Sequence, residues 1–255
     1  MERVNLFFLH GFLGRPADWD RVKAAIPKNT RLLIYAPDYF KDPQLSPQHN
    51  FANWAKNFNR WVQMQTHNND KNILIGYSLG GRLALHALEQ KPTLWSEAVL
   101  VSANTGFNDS IEGLPEGSDE RRKRWINDTY WAEQFNTSSW ETLLRNWNAQ
   151  PIFGGGDEEP VRLEKDYSRD SLGLALAQWS LAQQKNMRLV LKQNSGRISW
   201  VVGERDEKMM NLLQDLLGDV PQLKFEIISD SSHRVLFDKP QELAKIINEL
   251  VEKHS

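Results

Sequence analysis

The sequence predicts an α/β protein built on a doubly wound, mostly parallel sheet, and three observations point there. Short, continuously apolar runs recur along the chain, and segments of helical spacing separate them at both ends. A glycine-flanked serine also sits where one such run gives way to a helix. The runs fall at residues 6–9, 32–35, 73–75, 98–101, 198–202 and 225–228. Strands buried on both faces of a parallel sheet read this way, where half-exposed strands would alternate.

Taken in order, the opening "MERVNLFFLHG" couples one basic residue to a short apolar run without a small-residue cleavage site. It reads as a buried strand and not as a signal peptide. Residues 51–65 put Phe51, Trp54, Phe58, Trp61 and Val62 on one helical face. A small-residue helix follows over 79–89, a leucine-rich one over 209–217, and a last one over 241–252. Between 106 and 193 the strand–helix alternation stops. The chain there is helical in spacing, rich in Trp and Arg, and punctuated by "GLPEG" and "PIFGGGDEEP". The division expected is a core of residues 1–105 and 194–255 interrupted by a helical lid over 106–193. The tryptophans are expected mostly to pack lid helices on one another.

At 255 residues, 40% hydrophobic and 25% charged, the chain suits one compact unit with a sizeable core. A formal net charge of −2 gives no reason to expect a nucleic-acid partner. The absence of cysteine excludes disulfides, thiolate metal sites and thiol catalysis. No apolar stretch approaches the roughly 18 residues that span a bilayer. A cytoplasmic enzyme, monomeric or weakly self-associating, without membrane contact, metal or organic cofactor, is the expectation.

The chemistry-bearing pattern is "ILIGYSLGGR". Gly-x-Ser-x-Gly alone is also an ordinary strand-to-helix turn, but here it follows a β-type run and opens a helix, as a nucleophile elbow requires. Such a serine needs a base, and the base an orienting acid. His233, in "SDSSHRVLFDKP", lies after the last strand and before the last helix, where it can return to the top of the sheet or simply be solvated. Asp206, in "WVVGERDEK", follows the preceding strand; Glu204 is a poorer candidate and Asp230 belongs to the final loop. The order Ser…Asp…His matches one of the three well-known triad orders. "FLHGFLG" after the first strand offers the backbone N–H of Phe12, and the residue after the serine that of Leu79, as donors to an oxyanion.

These elements together resemble the α/β-hydrolase superfamily. Within it, the sequence resembles the 2-succinyl-6-hydroxy-2,4-cyclohexadiene-1-carboxylate synthases over most of its length. The likeness rests on "FLHGFLG", "GYSLGGR", "ERRKRWINDTYWAEQF", "WNAQPIF", "SRDSLGLALAQWSLAQQ" and "VVGERDEK". It implies a lyase that expels pyruvate from a substrate with three carboxylates. It further implies that Arg82, Arg124 and Arg169 contact those carboxylates and that Tyr77 and Trp147 line the pocket. Guanidinium forks suit that task. The lesser alternative is that Arg82 simply pairs with an acid on a neighbouring helix, and most of "ERRKR" must be a solvated face. A serine hydrolase, such as a carboxylesterase or C–C bond hydrolase, is the alternative reading of the same triad. Two departures from the family stand out. "YAPDYFKDPQLSP" has Ala36 where an aspartate is usual and lacks Gly-His-Gly. The strand leading to "HGF" comes almost at once, so the sheet is expected to lack the usual first hairpin at that edge.

Overall fold

The computed structural model describes residues 2–28, 30–108, 119–154 and 160–254. "GLPEG" and most of "GGGDEEP" lie outside these residues. Strand β1 (Val4–Leu9) leads through α1 (Asp20–Ala25) to β2 (Leu32–Tyr35), and α2 (Phe51–Gln65) leads to β3 (Lys71–Tyr77). Helix α3 (Leu79–Gln90) and β4 (Glu97–Val101) follow, then the helical section α4 (Asp119–Thr137), α5 (Trp140–Asn148), α6 (Arg169–Gln178) and α7 (Arg188–Asn194). The chain returns to the sheet with β5 (Ile198–Gly203), α8 (Glu207–Asp219), β6 (Lys224–Ile228), α9 (Val235–Asp238) and α10 (Pro240–Lys253).

The sheet order is β2-β1-β3-β4-β5-β6, and every pairing is parallel. Side chains alternate between its faces. Val4, Leu6 and Phe8 of β1, with Ile73, Ile75, Val99, Val101 and Val201, form one core with residues of α1 and α10. Phe7 and Leu9, with Leu74, Leu100, Trp200 and Val202, form the other with α2, α3 and α8. Each such side chain, fully buried, contributes about 1.5–3 kcal/mol relative to exposure. Helix α2 starts where Asn50 accepts from the Asn53 N–H at 3.0 Å, and its apolar face lies on α3.

All six apolar runs are strands, but not all are buried on both faces. β2 and β6 are the sheet's edges, so one flank of each lacks a neighbour. Ile34 is 40% exposed, Phe225 41% and Ile227 39%. Among the described residues no strand lies outside β2, where the usual first hairpin would pair.

In the helical section α4 packs on α6, with Gly173 so close that a Cβ there would lie 3.2 Å from Asn136 Nδ2. Helix α7, at the end of the same section, lies instead against α3 and α8. The tryptophans differ from expectation. Trp19, Trp54, Trp95 and Trp200 are fully buried with core residues, and Trp179 of the helical section packs on core Tyr39 and Trp54 at ring distances of 5.7 and 6.4 Å. Trp131 of α4 and Trp147 of α5, at 5.0 Å, do pack two helices of this section on each other. Among the described residues no helix is long and apolar enough to cross a membrane.

Candidate active site

The register brings Leu9, Gly76 and Leu100 into line at the carboxyl edge of the sheet. Ser78 sits just beyond. Its N–H donates to Val101 O at 2.9 Å, extending the ladder, while its carbonyl accepts from Arg82 N–H at 3.1 Å, starting α3. Serving strand and helix at once forces φ to +51° and ψ to −110°, a conformation held only because the surroundings over-determine it. The neighbouring glycines make the turn possible. A Cβ on Gly80 would lie 2.2 Å from Leu9 O, and one on Gly76 2.5 Å from Gly80 O.

His233 reaches this point from the loop before α9. Its Nε2 lies 3.1 Å from Ser78 Oγ and its Nδ1 lies 2.6 Å from Asp206 Oδ2. A carboxylate only accepts, so Nδ1 carries the proton and Nε2 is free to accept from the serine. Asp206 is the N-cap of α8; its other oxygen accepts from Met209 N–H at 3.2 Å. The carboxylate is therefore aimed by the helix it starts. The histidine loop is fixed by Ser232, whose N–H and hydroxyl both donate to Asp238 Oδ2, at 2.8 and 2.6 Å.

Leu79 is the first residue of α3, so its N–H has no intrahelical acceptor. It and Phe12 both line the cavity over Ser78. Behind Phe12, His10 donates from Nδ1 to Gly11 O at 2.9 Å and stacks on Tyr39 at 4.0 Å. Burial pushes the His10 ring down to about 4, so it is neutral near pH 7. Tyr39 and Phe40, from the loop that departs from the family pattern, fill the space behind this turn.

The cavity holds about 140 Å³ and opens into a broader basin. Tyr77, Trp147, Phe153, Leu176 and Trp179 give it apolar walls. One side is cationic: Arg82, Arg124 and Lys208 all line it, with Asp128 as the carboxylate among its lining residues. Arg82 is buried. Its Nε donates to Gln184 Oε1 at 2.5 Å and a terminal nitrogen to Trp179 O at 2.6 Å, both neutral acceptors. No carboxylate among the described residues bridges to it, which decides against a pairing with a neighbouring helix. Burial first, then repulsion from Arg124, pushes its guanidinium down to about 9. Arg124 uses Nε to hold Asp128 at 2.8 Å, and Asp128 also accepts from Ser180 Oγ at 2.7 Å. The terminal nitrogens of Arg124 have no hydrogen-bond partner among the described residues.

A family model described as alpha/beta hydrolase fold matches residues 4–240. The chain belongs to the alpha/beta hydrolase family. It is 29% identical over 241 residues to a 2-succinyl-6-hydroxy-2,4-cyclohexadiene-1-carboxylate synthase of Klebsiella pneumoniae, covering 92% of this chain and 88% of the relative. Among solved structures it is similar to MenH from S. aureus, with TM-score 0.82 and 21% identity over 100% of this chain and 95% of that one. It is also similar to a carboxylesterase of Nitrososphaera gargenis, with TM-score 0.70 and 15% identity over 98% and 90%.

The charged part of the site differs from the sequence reading at two residues, and the apolar walls Phe153, Leu176 and Trp179 carried no signal in the sequence. Arg169 is not with the other cations. It lies at the start of α6, donating to the carbonyls of Phe135 and Ser138 at 3.0 and 2.7 Å and pairing with Glu164 at 2.7 Å. It thus ties off the end of α4 and does not line the cavity. Lys208 was missed. It stands two residues after Asp206, in the first turn of the helix that Asp206 caps, and that proximity was the signal available. Among the described residues no group of three or more His, Asp or Glu could hold a metal ion.

Proposed function

We propose that this hydrolase-family chain is a carbon–oxygen lyase. It would eliminate pyruvate from 2-succinyl-5-enolpyruvyl-6-hydroxy-3-cyclohexene-1-carboxylate to give 2-succinyl-6-hydroxy-2,4-cyclohexadiene-1-carboxylate. The observation that carries the reading is Arg82, a buried guanidinium without a carboxylate partner, one helical turn from Ser78 and facing the same cavity. An unpaired buried cation is costly and would be a liability for an esterase acting on neutral substrates. It suits a polycarboxylate. The similarity to the Klebsiella pneumoniae synthase over most of both chains supports the same reading.

In this mechanism His233 Nε2 takes the proton of Ser78, with Asp206 fixing the imidazole tautomer. The serine oxygen removes the ring C2–H proton, the released pair forms C2=C3, the existing C3=C4 pair moves to C4=C5, and the C5–O bond to the enolpyruvyl group breaks. Pyruvate leaves as its enolate and takes a proton at carbon to become the keto acid. The diene gained is conjugated, so the protein's share is a positioned base and fixed positive charge. The N–H groups of Phe12 and Leu79 would hold a substrate oxygen on which negative charge develops. Arg82 and Arg124 would hold carboxylates, with Tyr77 and Trp147 against the ring. Residues 106–193 would act as the lid over this site.

The test is release of pyruvate from the enolpyruvyl substrate, generated in situ. Wild type should exceed buffer by orders of magnitude, and Ser78→Ala and Arg124→Ala should be strongly impaired. Background pyruvate release with brisk turnover of p-nitrophenyl esters would favour the alternative, a serine hydrolase on a small carboxylated substrate.

A further inference from the structure

We infer that Lys208 binds the substrate carboxylate farthest from Ser78, where the cavity meets the basin. This deepens the lyase reading and rests on it for the identity of the substrate. Arg82 lines the cavity alone, whereas Arg124 and Lys208 line both the cavity and the basin. The cavity's cations are thus ordered by depth: one beside the reacting hydroxyl and two shared with the basin, whose lining adds Lys123, Arg188 and Arg205.

Each of the two arginines already spends part of its fork on the protein. Arg82 holds Gln184 and Trp179, and Arg124 holds Asp128. Lys208 has no ion pair or hydrogen bond among the described residues, and all three ammonium donors remain available. The residue as a whole is exposed through the basin, yet its charged end is crowded. Loss of water, then repulsion from Arg124, holds the ammonium below its usual range. Placing an unpaired ammonium beside two guanidiniums is unfavourable without an anion, and Asp128 is already shared by Arg124 and Ser180. Within the cavity three cations stand against one engaged carboxylate, Asp128, while Glu120, Asp206, Glu207 and Asp215 line the basin without a hydrogen bond to Lys208. The cavity thus has room for a ligand carrying more than one negative charge. A monocarboxylate satisfying Arg82 would leave Lys208 and the terminal nitrogens of Arg124 without a hydrogen-bonded anion. Lys208 would therefore select for a second, distant carboxylate.

The test compares wild type, Lys208→Met and Lys208→Arg in the intact chain, each checked for an unchanged circular dichroism spectrum. Pyruvate release is followed against substrate and sodium chloride concentration, and binding of citrate, a tricarboxylate probe, is measured by calorimetry. In Lys208→Met, kcat/KM should fall roughly tenfold, mainly through KM, and its dependence on salt should become shallower. Lys208→Arg should restore most of the loss, and citrate affinity should follow the same order. If wild type releases no pyruvate while citrate affinity still drops in Lys208→Met, the lyase reading fails and the anion site stands. If KM and citrate affinity both stay at wild-type values, or if only kcat falls, the inference is overturned.

Discussion

The backbone N–H of Arg82 donates to the carbonyl of Ser78 at 3.1 Å, so the cavity's deepest cation and its hydroxyl belong to one helical turn. Neither can shift without the other. The turn is itself pinned, because Gly80 lets α3 approach the carbonyls of Leu9 and His10 more closely than any Cβ would allow. A substrate carboxylate held on Arg82 is thereby placed relative to Ser78 by rigid backbone.

Arg82→Lys tests whether that placement needs a fork. A lysine ammonium keeps the charge, but it is a point donor that cannot hold Gln184 Oε1 and Trp179 O while facing a carboxylate. Steady-state pyruvate release should show kcat/KM lowered about 10- to 100-fold. A lysine variant with wild-type kinetics would mean that charge alone suffices.

Ser78→Gly separates chemistry from strain. Both Ser78→Gly and Ser78→Ala remove the hydroxyl and should abolish pyruvate release. Only glycine accepts φ +51° and ψ −110° without steric penalty. The glycine variant should therefore be more stable than the alanine variant by about 1 kcal/mol, a difference of about 2–4 °C in Tm for a chain of this size. Equal melting temperatures would show that the elbow stores no strain.

Two buried histidines set an acid limit on stability. Burial, aided by Lys185 and Arg82, pushes His86 down to about 3, and burial pushes His10 down to about 4. Both rings are neutral in the fold, while the unfolded chain takes up protons below about 6.5. Their stability contribution is complete above that pH and is lost as pH falls towards the folded values. Each costs about 1.4 kcal/mol per pH unit in that window, so about 2 kcal/mol apiece by pH 5. Urea midpoints between pH 7 and 5 should fall accordingly. His86→Phe, replacing a ring stacked on Phe51 at 4.4 Å, should flatten the slope.

Much of this was legible in the residues. The six strands showed as apolar runs because parallel strands bury both faces, and the elbow showed because glycine is obligatory where α3 meets β1. The exposure of Ile34, Phe225 and Ile227 did not show, since edge position depends on strand order and not on local composition. Arg169 was placed in the pocket and Lys208 was missed for a related reason. A long cationic side chain at a helix start reaches several ångströms, and only packing decides whether it meets the carbonyls ending α4 or the cavity. Trp179 likewise carries no mark in its neighbours that it packs against α2 and not on the helices around it in sequence.

Asp206 permits a sharper separation, because its two oxygens serve different tasks. Oδ1 caps α8 through Met209 N–H, and Oδ2 holds His233 Nδ1. In Asp206→Asn the amide oxygen can keep the cap, leaving a nitrogen donor facing the imidazole. That donor needs an acceptor at Nδ1, so the ring proton moves to Nε2 and can no longer take one from Ser78. Stability should stay within about 0.5 kcal/mol of wild type, since Asn and Asp cap equally well. Activity should fall by about four orders of magnitude, as for the corresponding change in a serine protease triad. Asp206→Ala should lose activity too and about 1 kcal/mol of stability with the cap. Urea unfolding of the two variants beside their pyruvate-release rates checks both halves. An asparagine variant that keeps its rate would mean that the carboxylate orients a helix and not a base.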